Sequence, residues 1–536
     1  MDQLKEYDDA SGAKGFFLPL YKAVCHEIGP EIAAKVEEVH ADTEKLLQLT
    51  NGLEALNTRI KIEEAFPGKS GEEAKKMKEA GNKAYQEGSR TGQEGKDLQA
   101  LTFYTQAIIN CPVDSSGKSR EFSICLANRS AVLFTLKWFH QAEEDIKLAL
   151  ASGYPADLAY KLHERRARIQ TAHKDLEGAC CSYRLGLKSL ELATKLTPVN
   201  KKKLQAEMLK TLTFLTNTPD SVRKELVKVL PKKEPEGPQV EEKNPLYPAL
   251  SAAVAFKYDK KRGRYAVATR DIQVGETIAV EEAAVSHPLP QAAGQNCHHC
   301  FNTLQTPLPC NTCTRALYCG LKCRDAAWKQ HRFACKLNDF FDSAGLSVIC
   351  HLAYKLVTGH PPEWFREHES FWAKPDQRSG ETTSERKEEY LSSDYRNVFN
   401  LVTHHEKMSS TENFHRATFA IFLLRCLDSQ GYFGSSSQLS TYELTGDKLL
   451  IARLLFHFLE LLQFNTHEVA QLEMQGRRFE DGAKSKLIGA AVFPTLALFN
   501  HSCEPSLTRF LVISLSSSSS SAGSSKGTGL QHRASS

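Results

Sequence analysis

Seven cysteines and one histidine fall within thirty-nine residues: Cys297, Cys300, Cys310, Cys313, Cys319, Cys323, His331 and Cys335, spaced C-x2-C-x9-C-x2-C-x5-C-x3-C-x7-H-x3-C. Thiolate and imidazole are the ligands zinc prefers. Two tetrahedral ions would use all eight side chains and leave no coordination position open. A module this small has little core of its own, so metal binding and folding are expected to be one process. The other reading of such a cluster is a disulfide framework. Against it stands the opening MDQLKEYDDASG, which has neither a basic n-region nor an apolar h-region. No stretch approaches the roughly 20 apolar residues of a membrane span. The expectation is therefore a reducing compartment, cytoplasm or nucleus, in which short-spaced cysteines bind metal. His298 and His299 are alternative ligands, set close to the first CxxC.

Around the cluster there is room for several domains, since 536 residues exceed the roughly 100–200 of one. A net charge of +4 is small for that length and gives no reason to expect a nucleic-acid or membrane partner, the basic run 257–264 being a local exception. Over 71–195 strand signals are almost absent, and alanine, tyrosine and leucine recur at helical spacing. Ala100 and Ala107, Ala142 and Ala149, and Ala179 take comparable places in successive units, and Pro112 and Pro155 close two of them. With the insert at 88–95 discounted, the period is about 34 residues, which resembles tetratricopeptide repeats.

The general reading of such an array is a groove for some peptide. A sharper one comes from Lys78 and Asn82 at i, i+4, Asn128 on a later inner helix, and Lys161 and Arg165 again at i, i+4. These five match the carboxylate clamp by which some tetratricopeptide domains hold the acidic C-terminal tail of Hsp90 or Hsp70. Cations and amides converging on a terminal carboxylate make physical sense of that pattern. Residues 1–70 read as an amphipathic helical segment without an evident role. Residues 217–247, rich in proline and charge, read as a linker.

Beyond the linker the pattern changes to strands, YAVATRDI and ETIAVEEAAVS. After the cysteine cluster come long helices such as KLLIARLLFHFLELLQ, a polar loop at 375–387, and strand-like pieces ending in Asn500-His501-Ser502-Cys503-Glu504-Pro505-Ser506. Alone, that last string is also what a polar turn after a buried segment looks like. Taken in order, however, the Gly263-Arg264-Tyr265 hairpin with TRDI and GE, the eight-ligand module and NHSCEPS resemble the SET and MYND domain-containing lysine methyltransferases. In that family the MYND finger splits the SET domain, and the array fits its tetratricopeptide-bearing member. The resemblance covers roughly residues 71–513.

It implies an α+β multidomain chain. An all-α tetratricopeptide array (71–195) and a linker (217–247) lead to a β-rich SET domain. The first part of that domain (248–296) is separated from its core (488–513) by the MYND finger (297–335) and a helical insert (336–487). The family moves a methyl group from S-adenosylmethionine to the ε-amine of a protein lysine, which requires a neutral amine held in line with the sulfonium methyl. The matching cofactor-binding positions are Arg262, Gly263, Arg264, Asn500 and His501. Tyr265 stands where the family has a second glycine, so its side chain would narrow the pocket. The resemblance pairs Cys297, Cys300, Cys319 and Cys323 on one structural zinc ion, and Cys310, Cys313, His331 and Cys335 on the other. MYND fingers dock proline-containing partner peptides, and Tyr318 and Trp328 either line such a face or pack around the metal.

In the family, NHSC is followed by further strands, a catalytic tyrosine with an aromatic lid, and a C-x-C-x2-C cluster for a third zinc. Here no cysteine follows Cys503, no tyrosine follows Tyr442, and the serine-rich 514–536 reads as disordered. The expectation is a truncated or alternatively spliced form with impaired turnover, in which no residue is assigned the catalytic role. The alternative is a non-catalytic, chaperone-linked adaptor. The cysteines at 25, 111, 125, 180, 181, 350 and 426 are expected to be buried and unreactive.

Overall fold

The computed structural model describes residues 30–53, 62, 68–219, 238–372, 387–434, 444–474, 483–511 and 527–532. Cys25, residues 220–237 of the expected linker, the polar run up to 386 and most of the serine-rich tail lie outside them. Internal contacts divide the chain into two compact units, Pro67–Pro235 with Gln305–Gly320, and Met1–Phe66 with Glu236–Leu304 and Leu321–Ser536. Among the described residues no helix is long and apolar enough to cross a membrane.

Helices α1 (Pro30–Val39) and α2 (Thr43–Asn51) precede the array, which runs α3 (Gly71–Thr91), α4 (Glu94–Asn110), α5 (Arg120–Thr135), α6 (Phe139–Ala151), α7 (Ala159–Ala172), α8 (Leu176–Glu191) and α9 (Pro198–Thr216). Local chemistry sets the ends of α3. Ser70 Oγ accepts the Glu73 amide at 3.2 Å, Glu72 and Glu73 face the positive end of the helix dipole, and Gly92 closes the helix at φ 67°. The recurring small residues are the packing contacts: Ala100, Ala107, Ala142 and Ala149 are fully buried together with Ile108, Leu126, Ile146 and Ile169. Gly81 serves the same end, because a Cβ there would stand 2.8 Å from the Tyr104 ring across the α3–α4 contact.

Arg129 crosses this core and donates twice to Asp145, at 2.8 Å each, and to the Pro307 carbonyl at 3.1 Å. Pairing of this kind is what allows a guanidinium to be fully buried. Helix α9, past the expected end of the repeats at 195, extends the array by packing Met208 and Leu215 against Cys180, Tyr183 and Leu190. Cys181 departs from expectation. It is exposed while Cys180 is buried, since neighbours on a helix point about 100° apart.

In the other unit, strands β1 (Val254–Asp259) and β2 (Gly263–Ala268) form an antiparallel hairpin. Strands β3 (Thr277–Glu282) and β4 (Val285–Pro288) follow, then the short pair β5 (Leu308–Pro309) and β6 (Leu317–Tyr318), which belongs to the array unit. Helices α10 (Leu321–Ala334), α11 (Asn338–Ala344), α12 (Val348–Thr358), α13 (Ser410–Ser429) and α14 (Gly446–Asn465) make up most of the remainder. Strands β7 (Thr466–Met474) and β8 (Ala483–Val492) pair with β4 in the order β4-β8-β7, so the region expected to be helical to 487 turns to strand at Thr466. Strands β9 (Leu507–Leu511) and β10 (Gly527–His532) join β3 in the order β3-β10-β9. Within the tail read as disordered, residues 527–532 therefore form a strand. Its backbone groups find ladder partners on both sides, a stabilisation that composition does not report.

Two segments that read as lying outside the domain belong to this unit. The end of the expected linker is core: Tyr247 is fully buried and stacks on Tyr390 at 5.5 Å, while Asn244 Oδ1 accepts the amides of Leu246 and Tyr247 in a side-chain turn. The N-terminal segment is not separate either. Leu46 and Leu47 of α2 are fully buried in the same core as α13 and α14, and Arg425 Nη2 donates to the Asn51 carbonyl at 3.3 Å.

Candidate functional site

The eight ligands form two sets, Cys297, Cys300, Cys319 and Cys323 in one and Cys310, Cys313, His331 and Cys335 in the other, with ligand atoms within 4.8 Å of one another in each. Four thiolates, or three with one imidazole, suit zinc and leave no position for a substrate. Local hydrogen bonds shape each turn. Phe301 N donates to Cys297 O at 2.9 Å and Cys297 N to Asn302 O at 2.8 Å. Cys310 N donates to Ala316 O at 2.9 Å, and Thr312 N to the Cys310 sulfur at 3.4 Å. Helix α10 carries both Cys323 and His331 and so serves both sets. His298 and His299 belong to neither, and His298 Nε2 lies 2.9 Å from the Ala293 carbonyl.

The first turn is seated on the β7–β8 hairpin. Asn296 Nδ2 donates to Phe301 O at 2.8 Å and to Gln471 Oε1 at 3.0 Å. Phe301, with a left-handed φ of 61°, lays its ring over Gly489, where a Cβ would come within 2.3 Å of it. Tyr318 is fully buried, so of the two aromatics considered for a docking face only Trp328, 44% exposed, is presented.

The second constellation lies on the β1–β2 turn and the NHSC loop. Asp259 Oδ1 accepts the amides of Lys261 and Arg262 at 2.9 and 2.7 Å, and these bonds hold its carboxyl below the usual carboxylate range. Its Oδ2 pairs with Arg262 Nε at 2.7 Å, and the Arg262 guanidinium lies 4.0 Å from the centre of the Tyr265 ring. Gly263 completes the turn at φ 66°, with no atom within 4 Å of its missing Cβ. Across from it, Asn500 Nδ2 donates to the Arg262 carbonyl at 3.2 Å, and Phe499 packs edge-on against Phe256 of β1 at 5.8 Å. Two of the five candidate cofactor residues are thus in direct contact and Gly263 adjoins them. Arg264 sits opposite Tyr258 in the hairpin, and His501 turns to Cys503, with Nε2 3.6 Å from its sulfur.

Sequence reasoning missed the residue that holds this loop. Glu281 on β3 is 1% exposed and accepts from Thr495 N at 2.7 Å, Leu496 N at 2.8 Å and Ser392 Oγ at 2.5 Å. Thr495 and Leu496 begin the turn of 3-10 helix, Leu496–Leu498, that delivers Phe499 and Asn500. Burial pushes the carboxyl up, and the hydrogen bonds from Ser392, Thr495 and Leu496 oppose that shift.

In the array, the five candidate groove residues lie on α3, α5 and α7. Asn82 Oδ1 accepts from Tyr104 OH at 2.7 Å and from Asn128 Nδ2 at 3.2 Å, which aims the Asn82 amide nitrogen away from both. Arg165 Nη1 donates to Ala127 O at 3.2 Å and Ser130 Oγ at 2.8 Å, beside Asn128. Lys78 is paired with Glu121 of α5, and Lys161 is exposed.

Residues 297–335 match the MYND finger family. The chain is 27% identical over 470 residues to Protein-lysine N-methyltransferase SMYD4 of Gallus gallus, covering 76% of this chain and 62% of the relative. It is 26% identical over 488 residues to the Homo sapiens protein of the same name, covering 80% and 59%. The chain thus spans about three-fifths of the length of these relatives. Among solved structures it is similar to the first TPR of Spaghetti (RPAP3) bound to HSP90 peptide SRMEEVD, at 23% identity and a TM-score of 0.20, covering 27% of this chain and 97% of that one.

Proposed function

We propose that this chain, a SMYD4 homologue bearing a MYND finger, is a protein-lysine methyltransferase that binds S-adenosylmethionine between the β1–β2 turn and the NHSC loop. The observation that carries the reading is the bond from Asn500 Nδ2 to the Arg262 carbonyl, which joins two segments far apart in sequence. The residues suit such a ligand: Gly263 leaves its backbone open, and Arg262, though 61% exposed, is oriented by Asp259 and Tyr265. The cofactor supplies the methyl group. This chain's part is to bind and orient it, with Arg262, Gly263, Arg264, Asn500 and His501 as the holding residues. The two zinc ions are structural. Exposed Trp328 is the contact we propose for proline-containing partner peptides.

Calorimetric titration of S-adenosylmethionine tests this. Asn500→Ala should weaken binding by about tenfold, the worth of one hydrogen-bonded contact. Equal affinity in parent and variant would remove Asn500 from the site, and no binding by the parent would sink the cofactor reading and leave the adaptor.

The adaptor reading has its own support, because Asn128 of α5 donates to Asn82 of α3, and Arg165 of α7 donates to Ala127, the residue beside Asn128. We propose that this groove receives an acidic C-terminal tail of the Hsp90 or Hsp70 kind. Lys161→Glu with Arg165→Glu should then lower affinity for such a peptide at least about a hundredfold, two charge-assisted contacts having become repulsive. Unchanged anisotropy of a labelled peptide in the double variant would remove the clamp.

A further inference from the structure

Of the three cations of the groove, one already holds an anion. Lys78 Nζ is bonded to Glu121 Oε1, with the lysine side chain 19% exposed and the glutamate 37%. Glu121 lies in the first turn of α5, behind the Ser119 cap whose Oγ accepts the Phe122 amide. The positive end of the helix dipole favours negative charge there, so the carboxylate is stabilised where it stands. The other donors are oriented without it: the Asn82 oxygen is occupied by Tyr104 and Asn128, and Arg165 is braced by Ala127 and Ser130. A ligand carboxylate arriving at this end of the groove meets an occupied lysine.

We infer that Glu121 is a built-in competitor that sets which peptides the groove accepts. The inference rests on the clamp reading above. A ligand must displace Glu121 from Lys78, or bind with Lys78 neutralised, so the groove selects tails that bring a free terminal carboxylate together with further acidic side chains. A tail with a single negative charge cannot replace Glu121 at Lys78 and also engage Arg165 and Lys161. Glu121 thereby lowers affinity for all acidic tails and raises discrimination among them.

The test is fluorescence anisotropy on the full chain, with a labelled peptide ending in two glutamates and a free α-carboxylate, and the same peptide amidated at its end. Glu121→Gln should tighten the free-acid peptide by about three- to tenfold, the range of a half-buried ion pair released for a new partner. Glu121→Ala should do the same, which separates the charge from the shape, and circular dichroism checks that both variants keep their helices. In a Lys78→Met background the gain should vanish. A gain that survives Lys78→Met would overturn the inference, because Glu121 would then act through the general field. Equal or weaker binding by Glu121→Gln, with the parent still binding, would overturn it while leaving the clamp in place. No binding by parent and variant alike would remove the clamp reading and this inference together.

Discussion

Stripping zinc with a strong chelator is expected to unfold 297–335 while leaving the helices of 71–216 formed. The finger has little regular structure of its own, and its packing onto neighbouring segments, such as the Pro307 carbonyl on Arg129, does not gather its cysteines without the metal. Its secondary structure is β5 and β6, at two residues each, and α10, which has no fully buried residue. Structural zinc in zinc-finger peptides contributes an apparent binding free energy of about 10–16 kcal/mol per ion, far above the roughly 1 kcal/mol net of an ordinary hydrogen bond. Removing the ions leaves thiolates gathered within 4.8 Å in each set, which repel or must protonate. Hydrogen exchange should show near-complete loss of protection at the amides of Cys297, Phe301, Cys310 and Thr312, whose bonds close the metal turns. Far-UV dichroism should change little, since the array is helical without metal. Metal analysis of the native chain should give two zinc ions per molecule. Protection unchanged by chelation, or a chain folded at 297–335 with no metal, would refute the assignment.

Much of this was legible because certain residues carry their meaning locally. Ligand spacing marks a metal module wherever it stands, and alanines at helical intervals imply close helix packing, which Gly81 against Tyr104 makes literal. The Asn500 contact with Arg262 could be anticipated only through resemblance, because 238 positions separate the two. What stayed hidden depended on partners distant in sequence. Tyr247 sits in a stretch rich in proline and charge and becomes core by packing against Phe256, in another element, and Tyr390, distant in sequence. Strand β7 follows α14 without a break, so no turn residue announced the change. Glu281 was hidden most completely. In TIAVEE the apolar residues suggest that Ile278 and Val280 face inward, yet Ile278, Ala279 and Glu281 are the buried ones. Two adjacent glutamates read as a solvated strand end, and only the amides of Thr495 and Leu496 show that one of them is needed inside.

Glu281→Ala should therefore cost about 2–4 kcal/mol, an unusually large loss for a residue that sequence patterning places at the surface. The substitution strands two buried amide donors and the Ser392 hydroxyl, and an unsatisfied buried polar group costs more than the net worth of its hydrogen bond. Glu281→Gln separates charge from shape. Its carbonyl can still serve one amide, but its NH2 meets the other donor to donor, so the loss should be smaller and should fall on the turn at 495–498. That turn delivers Asn500 to Arg262, so, on the proposed cofactor reading, Glu281→Gln should weaken S-adenosylmethionine binding by a larger factor than its effect on global unfolding would suggest, whereas a substitution at exposed Glu282 should change neither. Urea unfolding with a parallel calorimetric titration reads both quantities. A loss below about 0.5 kcal/mol for Glu281→Ala, the scale of ordinary surface changes, would mean that water replaces the carboxylate and that Glu281 does not hold the loop.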